Sequence, residues 1–274
     1  MREIDLHHLG NDRVICCWQA GDVLVDPGPE STVSTLMDAI GDRAPRALLL
    51  THIHLDHAGA TGALVRAFPD LRVYVHELGA PHLIDPSKLV RSAGRLYGED
   101  NMDRMWGETV PVPEENIAIL RGGETVEGFR VAYAPGHASH HVAYLHEDSG
   151  WAFTGDVAGV RIARDQSIVP PTPPPDIDVE AWLQSIDTVQ AWGPAALALT
   201  HFGAYEDVAA HLDTLRAALR KQADWVRDLD EPEFRARRRA WVDDAPVYEQ
   251  AAPSDQMWQG LERYWRKRAE RDAA

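Results

Sequence analysis

The chain has 274 residues, 45% hydrophobic and 26% charged, with 43 acidic against 27 basic side chains and a formal net charge of −16. That mix excludes a disordered or collagen-like chain and is long enough for one large, well-filled core. The acidic excess argues against a nucleic-acid groove, where phosphates must be met by clustered Lys and Arg.

In chain order, the charged start Met1-Arg2-Glu3-Ile4-Asp5 lacks the apolar stretch of a signal peptide. No run of about 18 apolar residues predicts a membrane helix, so the expectation is a cytoplasmic protein with no membrane partner. Short apolar runs bounded by Gly, Pro, Asp or Asn predict strands over 13–18, 23–25, 47–50 and 73–75, and helices over 30–40 and 60–68. Cys16 and Cys17 are adjacent, a poor geometry for a disulfide, and read as small buried residues in a reducing compartment. Residues 78–113 are helix-leaning. Further strands are predicted over 117–120, 129–133, 142–145, 151–154 and 196–199, with a helix over 180–191. The five prolines of 169–178 predict a stiff extended loop. Residues 204–271 read as almost wholly helical. The expected class is α+β, a mixed sheet system with helices outside. A catalytic domain is expected over 1–205 with a helical insertion at about 78–113, and a helical extension over 206–274 packs on it. Trp225, Trp241, Trp258 and Trp265 in that extension fit a homodimer interface, a lid, or the extension's own core. The basic run Arg235, Arg237, Arg238 and Arg239 reads as a solvated helix face.

The chemistry concentrates where predicted strands end. The run 47–50 leads into Thr51-His52-Ile53-His54-Leu55-Asp56-His57, four potential metal ligands in six residues. His52 and His54, two apart, project to one side of an extended chain. Three later strands run into His137, Asp156 and His201. Strand ends are rigid platforms on which loops converge. Five His and two Asp are enough for two metals with one carboxylate shared; imidazole suits Zn, Fe or Mn. Asp26 and the threonines Thr51, Thr154 and Thr200 are candidates to orient the ligands. His140 and His141 lie close enough to His137 to line the site. Leu55, Trp106, Phe202 and Tyr205 are candidate pocket walls.

This arrangement resembles the metallo-β-lactamase superfamily over about residues 10–205. His52, His54, Asp56 and His57 meet its His-x-His-x-Asp-His motif, and His137, Asp156 and His201 its later ligands. The resemblance implies an αββα sandwich, one metal on His52, His54 and His137, a second on Asp56, His57 and His201, and Asp156 as the bridge. It further implies two divalent ions, zinc first with iron or manganese as alternatives, and a bridging hydroxide that attacks a small-molecule substrate. Asp56 and Asp156 are the catalytic carboxylates of that reading.

The seven-ligand set is most similar to glyoxalase II, which cleaves thioesters, so small esters, thioesters or lactones are the expected substrates. The common zinc β-lactamases place Arg where this chain has His57 and Cys where it has Asp156. Quorum-lactone hydrolases place Tyr where this chain has Gly159. Three alternatives stand beside the hydrolase: a mononuclear iron persulfide dioxygenase on His52, His137 and Asp156, a phosphodiester or phosphotriester hydrolase, and a non-catalytic metal-binding protein.

Overall fold

Neighbouring residues of the apolar strands bury themselves in different layers. The computed structural model describes residues 1–242 and 245–273. In β4 (Ala47–Leu49), Ala47 and Leu49 join a cluster between two sheets, whereas Leu48 joins a cluster beneath outer helices. Cys16 and Cys17 divide in the same way, both buried and reduced. This is the period-two side-chain alternation of a strand covered on both faces.

The first sheet runs in sequence order: β1 (Arg2–Asp5), β2 (Cys16–Ala20), β3 (Val23–Val25), β4, β5 (Arg72–His76) and β6 (Ile117–Leu120). Its pairs are antiparallel from β1 to β3 and parallel from β3 to β6. The second sheet contains β7 (Thr125–Val126), β8 (Phe129–Tyr133), β9 (Val142–His146), β10 (Trp151–Phe153), β11 (Ala196–Leu199) and β12 (Gly203–Tyr205), with β12 and β7 at its edges. Only β10 and β11 run parallel there, joined by a crossover that contains the helix Val179–Ala191. Trp18, Phe129, Tyr144 and Phe153 fill the space between the sheets.

Against the outer face of the first sheet lie α1 (Val33–Ile40), the short α2 (Leu55–Ala58) and α3 (Thr61–Ala67). Residues 78–113 form α4 (Ala80–Ile84), α5 (Ser87–Tyr97) and α6 (Met102–Trp106). Against the second sheet lie α7 (Val179–Ala191), α8 (Val208–Asp228), α9 (Glu231–Trp241), α10 (Ala245–Ala251) and α11 (Ser254–Asp272). Leu212, Leu215 and Leu219 of α8 share one cluster with Val157, Trp182 and Ile186. The architecture is thus an α+β sandwich of two mixed sheets between helical layers. Among the described residues no helix is long and apolar enough to cross a membrane.

Several boundaries differ from the sequence expectation. The strand expected over 13–18 begins at Cys16, because Arg13 takes a left-handed φ of 62°. The helix expected over 30–40 opens with a 3₁₀ turn, Glu30–Thr32. Three edge strands, β1, β7 and β12, were not foreseen; they are short or charged, and pairing rather than apolar pattern makes them strands.

Arg238 corrects the solvated-face reading. Phe234 and Arg238, four apart on α9, point to the same side and are both fully buried. The Arg238 guanidinium donates to Ser254 Oγ at 2.7 Å and Glu249 Oε1 at 3.1 Å. Arg237 and Arg239 remain exposed. The four tail tryptophans are partly buried against the second sheet's helical core, with Trp225 edge-on to Trp241 at 5.9 Å.

Candidate metal centre

Asp26 organises the centre from beneath. It follows β3 with a left-handed φ of 51° and is fully buried. Its Oδ1 accepts from the Thr51 backbone N–H at 2.8 Å; Oδ2 accepts from Thr51 Oγ1 at 2.7 Å and Thr200 Oγ1 at 2.9 Å, and lies 2.8 Å from His57 Nδ1. One carboxylate therefore ties together the segments after β3, β4 and β11. The hydroxyl of Thr154 is buried without a hydrogen-bond partner among the described residues, so it does not share the orienting role of Thr51 and Thr200.

The chain leaves β4 extended through Thr51–His54, then turns into α2, which carries Asp56 and His57. His137 follows β8, Asp156 sits in the 3₁₀ turn Gly155–Ala158 after β10, and His201 follows β11. The structure brings these seven side chains together. Nδ1 of His54 lies 3.0 Å from both His52 Nε2 and His137 Nε2, so three ring nitrogens converge on one point. His57 Nε2, His201 Nε2 and an Asp56 oxygen form a second group. Between the two groups, Asp156 Oδ2 is 3.2 Å from His137 Nε2, while Oδ1 is 3.2 Å from His57 Nε2 and 3.5 Å from His201 Nε2.

On three of the rings the far side is engaged, which turns Nε2 inward, whereas His54 turns Nδ1 inward. His57 Nδ1 is bonded to Asp26, His137 Nδ1 to the Pro171 carbonyl at 2.9 Å, and His201 Nδ1 to the Val14 carbonyl at 2.7 Å. A carbonyl or carboxylate on Nδ1–H fixes the tautomer that leaves Nε2 as a lone-pair donor. The proline segment thus has a specific use: its carbonyl aims a ligand.

The donor set fits divalent cations. Among the described residues, Nε2 of His57 and His201 and Oδ1 of Asp156 are buried with no hydrogen-bond partner, and both nitrogens lie within 3.5 Å of that oxygen, a set that one cation would satisfy. Burial pushes His52, His54 and His137 towards the neutral form, His54 to about 4 with help from its neighbour His137. Burial also opposes charge on Asp56 and Asp156, but the imidazole of His57 and its neighbours outweighs it and holds both carboxyls well below the usual range. Burial opposes charge on His57 and His201 too, but Asp156 and its neighbours outweigh it and push both rings towards the protonated form, so this half of the centre draws in positive charge of the kind a divalent ion would supply.

The other candidates divide. His141 stacks on His52 with ring centroids 4.8 Å apart, and its Nε2 accepts from the Asp156 backbone N–H at 3.3 Å, so it braces the bridge. His140 and Leu55 line a cleft beside His54, walled by α5 and Pro173–Pro175. Trp106 is buried in the insertion's own cluster with Met102. Phe202 belongs to the layer between the sheets, and the Tyr205 hydroxyl donates to the Arg161 carbonyl at 2.7 Å. Neither lines the cleft: both follow β11 but turn into packed layers. The closeness of His141 to His137 in sequence pointed to it, whereas the roles of Pro171 and Val14 depend on contacts between distant segments that no residue pattern marks.

The family model of the metallo-beta-lactamase superfamily matches residues 19–201. A metallo-beta-lactamase fold-containing protein of Sulfurisphaera tokodaii is 27% identical over 198 residues, 69% of this chain and 71% of that one. A hydroxyacylglutathione hydrolase of Yersinia pestis is 29% identical over 134 residues, 49% of this chain but only 41% of its own length. Among solved structures, a metallo-beta-lactamase family protein of Thermus thermophilus aligns with a TM-score of 0.66 at 21% identity, covering 93% of this chain and 88% of that one. A protein solved in a di-iron-bound form aligns with a TM-score of 0.54 at 27% identity, covering 73% and 91%. The family model covers well over half of the chain and all seven converging side chains, and the chain belongs to the metallo-β-lactamase superfamily.

Proposed function

We propose that the protein is a binuclear metal-dependent hydrolase of small esters, thioesters or lactones. The observation that carries this reading is the position of Asp156, with one carboxylate oxygen toward the His52–His54–His137 group and the other toward His57 and His201. His52, His54 and His137 would hold one ion, Asp56, His57 and His201 the other, and Asp156 both. Two divalent ions bound there supply Lewis acidity for a substrate oxygen and lower the pKa of water.

The chain's own groups do the rest. Asp56 is the more open carboxylate, its side chain 19% exposed against 4% for Asp156. It accepts a hydrogen bond from the attacking water, orients it and takes its proton. Asp156, braced by His141, keeps the two halves in register. His54 borders the cleft, so an acyl group seated there lies beside the ligands. The similarity to a hydroxyacylglutathione hydrolase supports a thioester among the substrates.

Zinc is the first expectation for the metal. The likeness to a protein solved with two irons makes iron the principal alternative, with manganese third. The test is elemental analysis of purified, unsupplemented protein, followed by assay on thioesters, lactones and phosphoesters. About two ions per chain with acyl hydrolysis, both lost in Asp156→Ala, is the expected result. About one iron per chain with oxygen uptake would replace this reading with the dioxygenase, and phosphoester turnover alone would replace it with a phosphohydrolase.

A further inference from the structure

The cleft beside His54 contains polar groups that the metal centre does not use. Its wall is mostly apolar, with Leu55, Leu89, Ala93 and Leu96 on one side and Pro173 closing it. Its volume of about 240 Å³ falls below the roughly 300–1,000 Å³ of pockets that take drug-sized ligands. A short acyl group fits within the cleft, whereas a longer chain would reach out past its open side.

Tyr97, the last residue of α5, lines this cleft together with His54 and His140. Its ring is held edge-on by Trp106 at a centroid distance of 4.8 Å, and Trp106 is stacked in turn on His8 at 5.3 Å. The Tyr97 carbonyl accepts from Asn101 Nδ2 at 2.9 Å, so the backbone is fixed as well. Ring and backbone are therefore anchored, yet among the described residues the hydroxyl has no hydrogen-bond partner. Burial, and then the carboxylates of Asp56 and Asp156, push its pKa up. The group stays a neutral O–H, and it feels the carboxylates of the metal centre. His140 is a further polar group of the cleft, beside His82, Lys88, Ser92, Ser139 and Asp176. Its ring stacks on His52 at 6.1 Å, and neither ring nitrogen has a hydrogen-bond partner among the described residues.

We propose that the Tyr97 hydroxyl donates a hydrogen bond to the acyl oxygen of the bound substrate, and that the cleft it lines selects esters and thioesters of short acyl groups. This rests on the acyl-hydrolase reading of the metal centre. The reaction adds water across the acyl bond to give a carboxylic acid and an alcohol or thiol; Tyr97 keeps its proton throughout. The acyl oxygen gains negative charge as water attacks, so a fixed neutral donor beside it strengthens its bond at that moment. Removing the hydroxyl should therefore lower kcat and leave KM nearly unchanged. A wall residue that merely shaped the cleft would move KM instead.

The experiment uses the full-length, metal-loaded protein with p-nitrophenyl acetate, butyrate and octanoate and the matching N-acetylcysteamine thioesters. Tyr97→Phe keeps the ring that Trp106 holds. In this variant kcat is expected to fall by about 10²-fold, the scale of losing one oxyanion donor, with metal content and thermal midpoint unchanged. Calorimetric affinity for an alkylphosphonate, a mimic of the tetrahedral species, should weaken in the same variant. For the wild type, kcat/KM should drop from butyrate to octanoate. An unchanged kcat on a substrate the wild type cleaves would overturn the Tyr97 role and leave the hydrolase standing. Loss of metal in Tyr97→Phe would also overturn it, by making the residue structural. A wild type carrying two ions that cleaves none of these acyl compounds would overturn the acyl-hydrolase reading itself, and this proposal with it.

Discussion

His211 on α8 is hydrogen-bonded through Nε2 to the carbonyl of Ala158 at 2.8 Å, two residues beyond Asp156 in the same 3₁₀ turn. Its Nδ1 faces Arg161 Nη1 at 3.2 Å, and the same guanidinium nitrogen bonds Asp207 Oδ1 at 2.9 Å. Only a neutral imidazole can donate from Nε2 and accept at Nδ1 together. Helix α8 is thereby tied to the turn that carries Asp156 through one uncharged ring.

That ring should make stability depend on acid. Burial lowers the His211 pKa to about 4 from its ordinary 6.5; the Ala158 carbonyl and Asp207 oppose the shift, and Arg161 adds to it. Between those values the unfolded chain binds a proton that the folded chain refuses. Stability is therefore complete above about 6.5 and is lost as pH falls towards 4, by as much as ~3 kcal/mol. Urea midpoints at pH 7.5 and pH 5 should diverge more in the wild type than in His211→Gln. Equal divergence would assign the acid sensitivity to other groups.

Asp26 touches no substrate, yet its replacement should empty part of the metal centre. Asp26→Asn keeps the shape but offers an amide where Thr51, Thr200 and His57 all need an acceptor. Losing such a support for a ligand costs typically 10- to 100-fold in metal affinity or activity. Metal titration of Asp26→Asn should show weakened binding, most of all for the ion held through His57. Wild-type affinity at both ions would mean that Asp26 serves the turn alone.

Arg238 is a stability residue remote from the cleft. Arg238→Ala would leave Glu249 facing Ser254 without its cation, and breaking a buried pair on one side costs about 3–5 kcal/mol. Thermal melts should show a marked loss for Arg238→Ala and a smaller one for Arg238→Met, which fills the space. At a temperature where both are folded, kcat should match the wild type. A wild-type melting point for Arg238→Ala would show that solvent enters the pair freely.

Much of the sandwich was legible because its strands are buried on both faces. Runs such as 47–50 and 196–199 have no polar residue to confuse their period, and a proline, Pro45 or Pro194, stands two residues before each of them. The candidate ligands were legible for a related reason: they sit next to those runs, where the residue type changes abruptly from apolar to His or Asp. Arg238 misled because a run of four basic residues looks like one surface, while the helix turns about 100° per residue and sends one of them inward. Edge strands such as β1 and β12 were missed because pairing with a neighbour, not their own composition, holds them extended.

The sequence by itself determined the sheets' central strands, the helical character of 78–113 and the supply of seven potential donors at strand ends. These are local matters of periodicity, turn residues and donor chemistry. Only the tertiary structure decided which donors face one another, that Asp156 lies between two groups, and that Asp26, His141, Pro171 and Val14 aim them. It also decided that Tyr97 borders the same cleft as His54. Such relations join segments tens to nearly two hundred residues apart, and they form only when two sheets pack and their loops meet at one edge.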